Sequence, residues 1–232
     1  MKLSVIIPCY NESKDIAEKS KIVFDYLTNL GIDFEIIAVD DGSKDNTKEV
    51  IYSLPYLRAT SYKENMGKGG AVKSGIELAH GDYILFMDAD LSTDLSAIDT
   101  MLPLMEEYDF IIGSRHHKES KILVKQPFKR RFIGWCCRRL VNMRFHFHMS
   151  DTQCGFKAIR ASVAKEMVLH QIIYGFAFDV EYLYIAKLNN IKVKEIPVIW
   201  RDDRGSTVKS GSSMAFMKDM TKMKKNKKFY IF

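Results

Sequence analysis

The chain has no uninterrupted apolar run near the roughly 18 residues that a membrane-spanning helix needs. Met1-Lys2 leads straight into an apolar run, so no secretory leader is expected. Cysteine is scarce. Cys9, Cys136, Cys137 and Cys154 have no metal-ligand spacing, and the adjacent pair makes a poor disulfide. A reducing, cytoplasmic compartment is the expectation. Aromatics and lysines are not interleaved as on a single-strand-binding platform, so nucleic acid is not an expected partner. Internal repeats and long linkers are also missing. What is present is 47% hydrophobic residues in 232, enough for one α/β domain with a core. The formal net charge of +6 suits an anionic small substrate or an anionic membrane surface.

The first sixty residues alternate strand, loop and helix. Leu3 to Pro8 and Phe34 to Val39 have strand length and β-branched content, and Ile16, Ile22, Val23, Tyr26, Leu27 and Leu30 recur at helical spacing. That order predicts an α/β fold with a mostly parallel central sheet flanked by helices. Ligands in such sheets bind beyond the carboxyl ends of the strands. Pro8 to Glu12, Asp40-Asp41 and Asp88-Ala89-Asp90 all stand at such ends. Asp88 and Asp90 follow the apolar run Tyr83 to Met87 and, at i and i+2, point the same way along a strand. Like charges so placed fit a hard divalent cation, Mg²⁺ or Mn²⁺, completed by phosphate oxygens. They equally fit two surface carboxylates ahead of the next helix.

Other stretches carry two readings each. Asn65 to Gly75 holds Lys68 among glycines at a predicted helix start, which suits an anion or is simply a tight turn. Arg115 ends a predicted strand over 109–115 and suits phosphate, or is a solvated arginine. A helix is expected from about Leu91 through Met105, capped by Ser92 or Thr93, and a last strand over Val193 to Trp200. Asp179 and Glu181 sit in the first turn of a helix, where its dipole favours acids, yet Asp179 follows an aromatic run and should have a partner. From His116 to Arg144 the chain carries nine Lys and Arg against Glu119 alone, with Phe128, Phe132, Ile133, Trp135, Leu140 and Val141 at helical intervals. Such a helix lies either on a membrane surface or on the sheet. The stretch from Lys209 has seven lysines, one aspartate and Met214, Met217, Met220 and Met223 at i,i+3 spacing. The expected division is a catalytic domain over 1–208 and a basic amphipathic tail over 209–232.

Four strings stand in a recognisable order: Val5 to Glu12, Val39 to Thr47, Asn65 to Gly69 and Met87 to Asp90. Together they resemble the family 2 glycosyltransferases, which use nucleotide-sugar donors. Asp151 to Lys157 and Phe176 to Glu181 resemble the dolichyl-phosphate β-glucosyltransferase branch and its prokaryotic polyprenyl-phosphate relatives. The resemblance spans about residues 3 to 207 and implies a single GT-A type domain and an inverting transfer. It implies that Pro8, Tyr10, Glu12 and Asp40 or Asp41 hold the nucleoside, with Lys68 near the base or ribose. Asp88 and Asp90 would meet the metal on the donor diphosphate, with Ala89 between them lining the donor site. Some members place glutamine two residues after the second aspartate, where this chain has Ser92. Arg115 and Arg131 would neutralise donor or acceptor phosphates. Arg201, Arg204 and Ser206 would belong to a late loop that closes on the donor. Asp151 and Asp179 fall where the family places acids near the sugar or acceptor.

The expected activity is therefore hexosyl transfer, with glucose as the expected sugar, from a UDP-sugar to a polyprenyl phosphate. The alternatives are transfer to a hydroxyl of a soluble or lipid-linked glycan, and nucleotide-sugar binding without turnover. A phosphomonoester acceptor is already largely ionised near neutral pH and needs no strong base. A hydroxyl acceptor would need a carboxylate, and Asp151 is the candidate. The two basic segments suggest peripheral association with the cytoplasmic face of a membrane.

Overall fold

The computed structural model describes residues 1–124, 126–202 and 212–232, without the side chains of residues 129, 212 and 213. In chain order the first elements are β1 (Lys2–Cys9), α1 (Ile16–Asn29), β2 (Asp33–Asp40), α2 (Thr47–Ser53), β3 (Arg58–Ser61), α3 (Lys68–Leu78) and β4 (Tyr83–Met87). Then come α4 (Ala97–Met101), β5 (Phe110–Ser114), β6 (Lys121–Val124), α5 (Phe128–Phe145), β7 (Phe156–Arg160) and α6 (Ala161–Leu169). The last are α7 (Phe178–Leu188), β8 (Val193–Pro197), β9 (Ile199–Arg201), α8 (Ser212–Lys225) and a 3-10 turn over Lys227–Tyr230.

Seven strands form the central sheet in the order β3-β2-β1-β4-β7-β5-β8. β1 pairs in parallel with β2 on one side and β4 on the other, so the order reverses at β1. The crevice beyond the carboxyl ends of β1 and β4 is thus the topological switch point where such sheets bind ligands. β7 is antiparallel to both neighbours, β4 and β5. It enters the sheet from the turn at Asp151–Gly155, at the carboxyl ends of β4 and β5, and runs back between them. That turn is thereby brought to the functional end of the sheet.

Alternation along β1 sends Leu3, Val5 and Ile7 into one apolar layer and Ile6 into the other. α1 and α4 cover the first layer, while α3, α6 and α7 cover the second. Each large apolar side chain fully buried there contributes roughly 1.5–3 kcal/mol. The described part of the expected tail is docked: Met220, Met223 and Tyr230 are fully buried in the second layer, while Met214 and Met217 face outward. The methionine stripe is therefore half core and half surface.

Three local expectations are corrected. The helix expected from Leu91 is confined to Ala97–Met101 and a 3-10 turn over Leu102–Leu104. Leu91 has a left-handed backbone, φ 56°, which cannot open an α-helix, and Pro103 cannot donate a helical hydrogen bond. Thr93, an expected cap, instead bridges Trp200 across an antiparallel contact. The last strand is also broken: β8 ends at Pro197 in the main sheet, and β9 pairs with β6 in a separate two-stranded sheet. Proline lacks the N–H needed to continue a ladder. Among the described residues no helix is long and apolar enough to cross a membrane.

Candidate active site

The loops after β1 and β2 are stitched together. Asn11 N–H donates to Ser43 Oγ at 2.9 Å, Glu12 N–H to Thr47 Oγ1 at 2.8 Å, and Lys44 N–H to Asn11 Oδ1 at 2.9 Å. Pro8, Tyr10 and Glu12 lie half-buried along this seam. Asp40 is buried and accepts from Ser43 N–H. An open pocket of about 350 Å³ beyond β2 and β3 is lined by Asp40, Ser43, Asp45, Tyr62 and Lys63, among others. Asp41 has a different job. Its carboxylate accepts from Tyr62 Oη at 2.7 Å, Met66 N–H at 2.8 Å, Gly67 N–H at 3.0 Å and Asn65 Nδ2 at 3.0 Å. It shapes the glycine-rich loop rather than facing the crevice with all its acceptors free. Burial pushes its pKa up against those donors.

That loop carries Lys68 to the end of β4. Gly67 has φ 96°, and a Cβ there would stand 2.7 Å from Tyr174 O, so only glycine suits the position. Lys68 Nζ contacts Asp88 Oδ1 at 2.5 Å and lies 5.9 Å from the Phe178 ring centroid. Burial opposes the ammonium, but Asp88, then Asp179 and Asp90, outweigh it and raise the Lys68 pKa. Asp90 is pushed upward by burial and then by Asp88 beside it, and Ser92 N–H donates to its Oδ1 at 2.9 Å. The buried Ala89 separates the two carboxylates. A Cβ on Gly155 would fall 2.1 Å from Asp88 Oδ2, so Gly155 is what lets that carboxylate lie against the turn.

The turn itself is built around an ion pair. Arg115 Nε donates to Asp151 Oδ2 at 2.7 Å and its Nη2 to Oδ1 at 3.0 Å, a bidentate fork. Asp151 is 3% exposed and also accepts from the Arg115 and Gln153 backbone N–H groups. Burial alone would raise its pKa; Arg115 and these donors hold it well below the usual carboxylate range. A carboxylate so held is a weak base. The Arg115 guanidinium also sits 5.7 Å from the Trp200 ring centroid. Glu195 of β8 fixes the turn from below by accepting from Ser150 N–H and Asp151 N–H, at 2.9 and 3.0 Å. The partner expected for Asp179 is Lys157: its buried Nζ pairs with Asp179 Oδ1 and donates to Cys154 O.

The strand ends therefore bring together Pro8, Tyr10, Glu12, Asp40, Lys68, Asp88, Ala89 and Asp90, with Arg115, Asp151 and Asp179 around the adjoining turn. Arg131 and Arg201 lie on exposed surface. Arg204 and Ser206 lie outside the described residues. The half-buried Arg138 of α5, which sequence reasoning passed over, lies within the electrostatic reach of Asp151 and Arg115; burial, and after Asp151's opposing effect Arg115, lower its pKa. His116 lies in the same field, its pKa lowered first by burial. Lys157 was missed too. The only signal was a lone lysine inside the apolar stretch Phe156 to Ile159.

The sequence model described as Glycosyl transferase family 2 matches residues 4–168. The chain belongs to this family. It is 34% identical to a dolichyl-phosphate beta-glucosyltransferase of Dictyostelium discoideum, over 96% of this chain and 73% of the relative. A dolichyl-phosphate beta-glucosyltransferase of Mus musculus is 32% identical over 88% of this chain and 69% of its own. Among solved structures, glucosyl-3-phosphoglycerate synthase from Mycobacterium tuberculosis, in complex with Mn²⁺, UDP and glucosyl-3-phosphoglycerate, superposes with a TM-score of 0.68. That match covers 97% of this chain and 79% of the synthase at 17% identity, a likeness of fold. The family 2 member described here is a glycosyltransferase with a GT-A type fold.

Chemically, the crevice of this glycosyltransferase sets the Asp88 and Asp90 carboxylates near the Lys68 ammonium and the Arg115 guanidinium clamped by Asp151. Among the described residues no group of three or more His, Cys, Asp or Glu side chains is placed to hold a metal. Asp88 and Asp90 are hard-oxygen donors of the kind a divalent cation takes.

Proposed function

We propose that this enzyme transfers glucose from UDP-glucose to a polyprenyl phosphate of the dolichyl type, with inversion, at a membrane surface. The observation that carries the acceptor class is the Arg115–Asp151 fork. Both Asp151 oxygens are engaged and its pKa is depressed, so it does not suit deprotonation of a sugar hydroxyl. A lipid phosphate needs no such base, because its second pKa is about 6. The identity to dolichyl-phosphate beta-glucosyltransferases over most of both chains supports the same acceptor and sugar.

In this reading Pro8, Tyr10, Glu12 and Asp40 hold the nucleoside. Asp88 and Asp90 fit Mg²⁺ or Mn²⁺: they are adjacent hard-oxygen donors, Asp90's pKa is raised by burial and then by Asp88, and a cation, Lys68, already sits on Asp88. Once bound, the metal supplies positive charge to the diphosphate that leaves. Lys68 binds the donor and shifts from Asp88 toward a phosphate oxygen. Arg115, held flat by Asp151 and Trp200, presents its remaining edge to phosphate. An acceptor phosphate oxygen forms the new bond to the anomeric carbon as the bond to the UDP oxygen breaks, from the opposite face. The proton balance is closed because the acceptor arrives ionised.

The membrane role rests on α5. Phe128, Phe132, Ile133 and Trp135 are exposed there beside exposed Arg130, Arg131 and Arg139. Apolar rings among arginines suit the interface of an anionic, cytoplasmic leaflet. Arg138 lies on the same helix near Arg115, which would bring a lipid phosphate from that surface to the crevice. The test is a matrix of nucleotide sugars against polyprenyl phosphate, a lipid-linked glycan and a soluble sugar, read by product mass. UDP-glucose with polyprenyl phosphate should give the glycosyl phospholipid. Product only on a glycan hydroxyl would sink the acceptor assignment.

A further inference from the structure

We propose that Tyr230 and Glu181 form a latch through which the C-terminal segment positions the glycine-rich loop that carries Lys68. Tyr230 is fully buried, and its hydroxyl donates to Glu181 Oε1 at 2.7 Å. Glu181 is fully buried on α7 and also accepts from Ile172 N–H at 2.9 Å and Ile173 N–H at 3.1 Å. One carboxylate thus ties the end of the chain to the start of the segment 171–175. Lys222 of α8 adds a second tie, donating to Ile172 O at 2.9 Å.

The segment 171–175 is in turn the back wall of the Lys68 loop. Gln171 Nε2 donates to Gly69 O at 2.9 Å, and Gly70 N–H donates to Tyr174 O at 3.1 Å. Tyr182 Oη fixes the other end of that glutamine, donating to Oε1 at 2.7 Å. The fit leaves no slack: a Cβ on Gly69 would stand 2.7 Å from Phe178 Cβ and 2.9 Å from Ile173 O. A shift of Ile172 and Ile173 therefore moves Gly69 and Gly70, and with them the backbone that aims Lys68 at Asp88. The core alone would bury Tyr230 as phenylalanine. What the hydroxyl adds is a bond to a carboxylate whose other acceptor positions hold the loop support.

Tyr230 and Glu181 touch neither the donor nor the reacting atoms, so they are positioning residues. The kinetic consequence rests on the reading of Lys68 as a donor-binding residue; the structural consequence does not. The test compares Tyr230→Phe with wild type and with Tyr184→Phe, a change to the neighbouring ring 5.9 Å from Tyr230. Amide hydrogen exchange at Ile172, Ile173 and Gly70 should quicken by at least about tenfold in Tyr230→Phe, the scale of one lost bond to a charged group. Tyr184→Phe should leave those amides and the KM for UDP-glucose unchanged. In Tyr230→Phe that KM should rise by more than kcat falls. Glu181→Gln, which keeps the volume but offers one acceptor oxygen instead of two, should show the same pattern. Faster exchange confined to residues 226–232, with Gly70, Ile172 and Ile173 as protected as in wild type, would overturn the latch. Faster exchange at Gly70 with an unchanged KM supports the latch and contradicts the donor-site reading of Lys68.

Discussion

Asp151 and Glu181 are both buried carboxylates, yet their surroundings push them in opposite directions, and the difference is measurable. Asp151 is held low by Arg115 against the cost of burial. Its contribution is present above the ordinary carboxylate range and is lost as pH falls through and below it. Asp151→Asn breaks the fork and leaves a half-buried guanidinium unpaired, so it should cost about 3 kcal/mol in denaturant melts. Glu181 has no such cation in contact. Burial dominates and raises its carboxyl to about 7, despite Tyr230, the two amides and the nearby Lys222. The sign is reversed: its contribution is full below the ordinary glutamate value near 4.5 and is lost as pH rises through about 7. The corresponding stability loss is on the order of 3 kcal/mol. Glu181→Gln should flatten that slope between pH 5 and 8 in chemical denaturation, with Tyr182 and Tyr230, both raised, not titrating in the window. Gly155→Ala is a third case. Its Cβ would collide with Asp88 Oδ2, so Mn²⁺-dependent UDP binding, read by calorimetry, should weaken at least about tenfold.

At the scale of elements, β1, β2 and β4 were legible because each is a short apolar run ending in polar residues, the signature of a buried parallel strand. β7 was not. Its run is interrupted by Lys157, whose charge makes sense only beside Asp179, more than twenty residues away in sequence. The antiparallel return of β7 is what places Asp151 and Gly155 at the strand ends, so Asp151 was legible only through the family resemblance, while the strand that positions it was not. The break at Pro197 was hidden for a related reason: the apolar pattern continues through Val198 to Trp200 although the strand leaves one sheet for another. Helix α5 was legible as amphipathic, but its phase was not. Arg115 and Arg131 were the expected phosphate ligands; Arg131 is exposed, whereas the half-buried Arg138 lies within the electrostatic reach of Asp151 and Arg115. The exposed rings of α5, with Phe132 stacked on Trp135 at 6.2 Å and Arg139 5.5 Å from Trp135, make a specific prediction. A Phe132→Ser, Trp135→Ser double variant should lose most co-sedimentation with anionic vesicles while keeping its thermal midpoint. Wild-type binding should weaken as salt rises.

For the whole molecule, the reversal of strand order at β1 explains why residues far apart in sequence share one crevice. Glu12, Asp40, Lys68, Asp88, Asp90 and Arg115 come from five separate strand ends and loops, yet all stand at the carboxyl edge of one sheet. The C-terminal helix, which read as a basic appendage, closes the opposite layer through Met220, Met223 and Tyr230. Only the docked Tyr230 shows that the end of the chain reaches the support of the Lys68 loop. In the proposed function this crevice passes a sugar from a metal-bound nucleotide to a lipid phosphate. The most direct measurement incubates the full chain with UDP-glucose, Mn²⁺ and polyprenyl phosphate and weighs the lipid product, with Asp90→Asn and chelator as controls. The lipid should gain the mass of one hexose, and the heavier product should be absent in both controls. An unchanged lipid, alongside hexose transfer to a glycan hydroxyl, would contradict the proposed function.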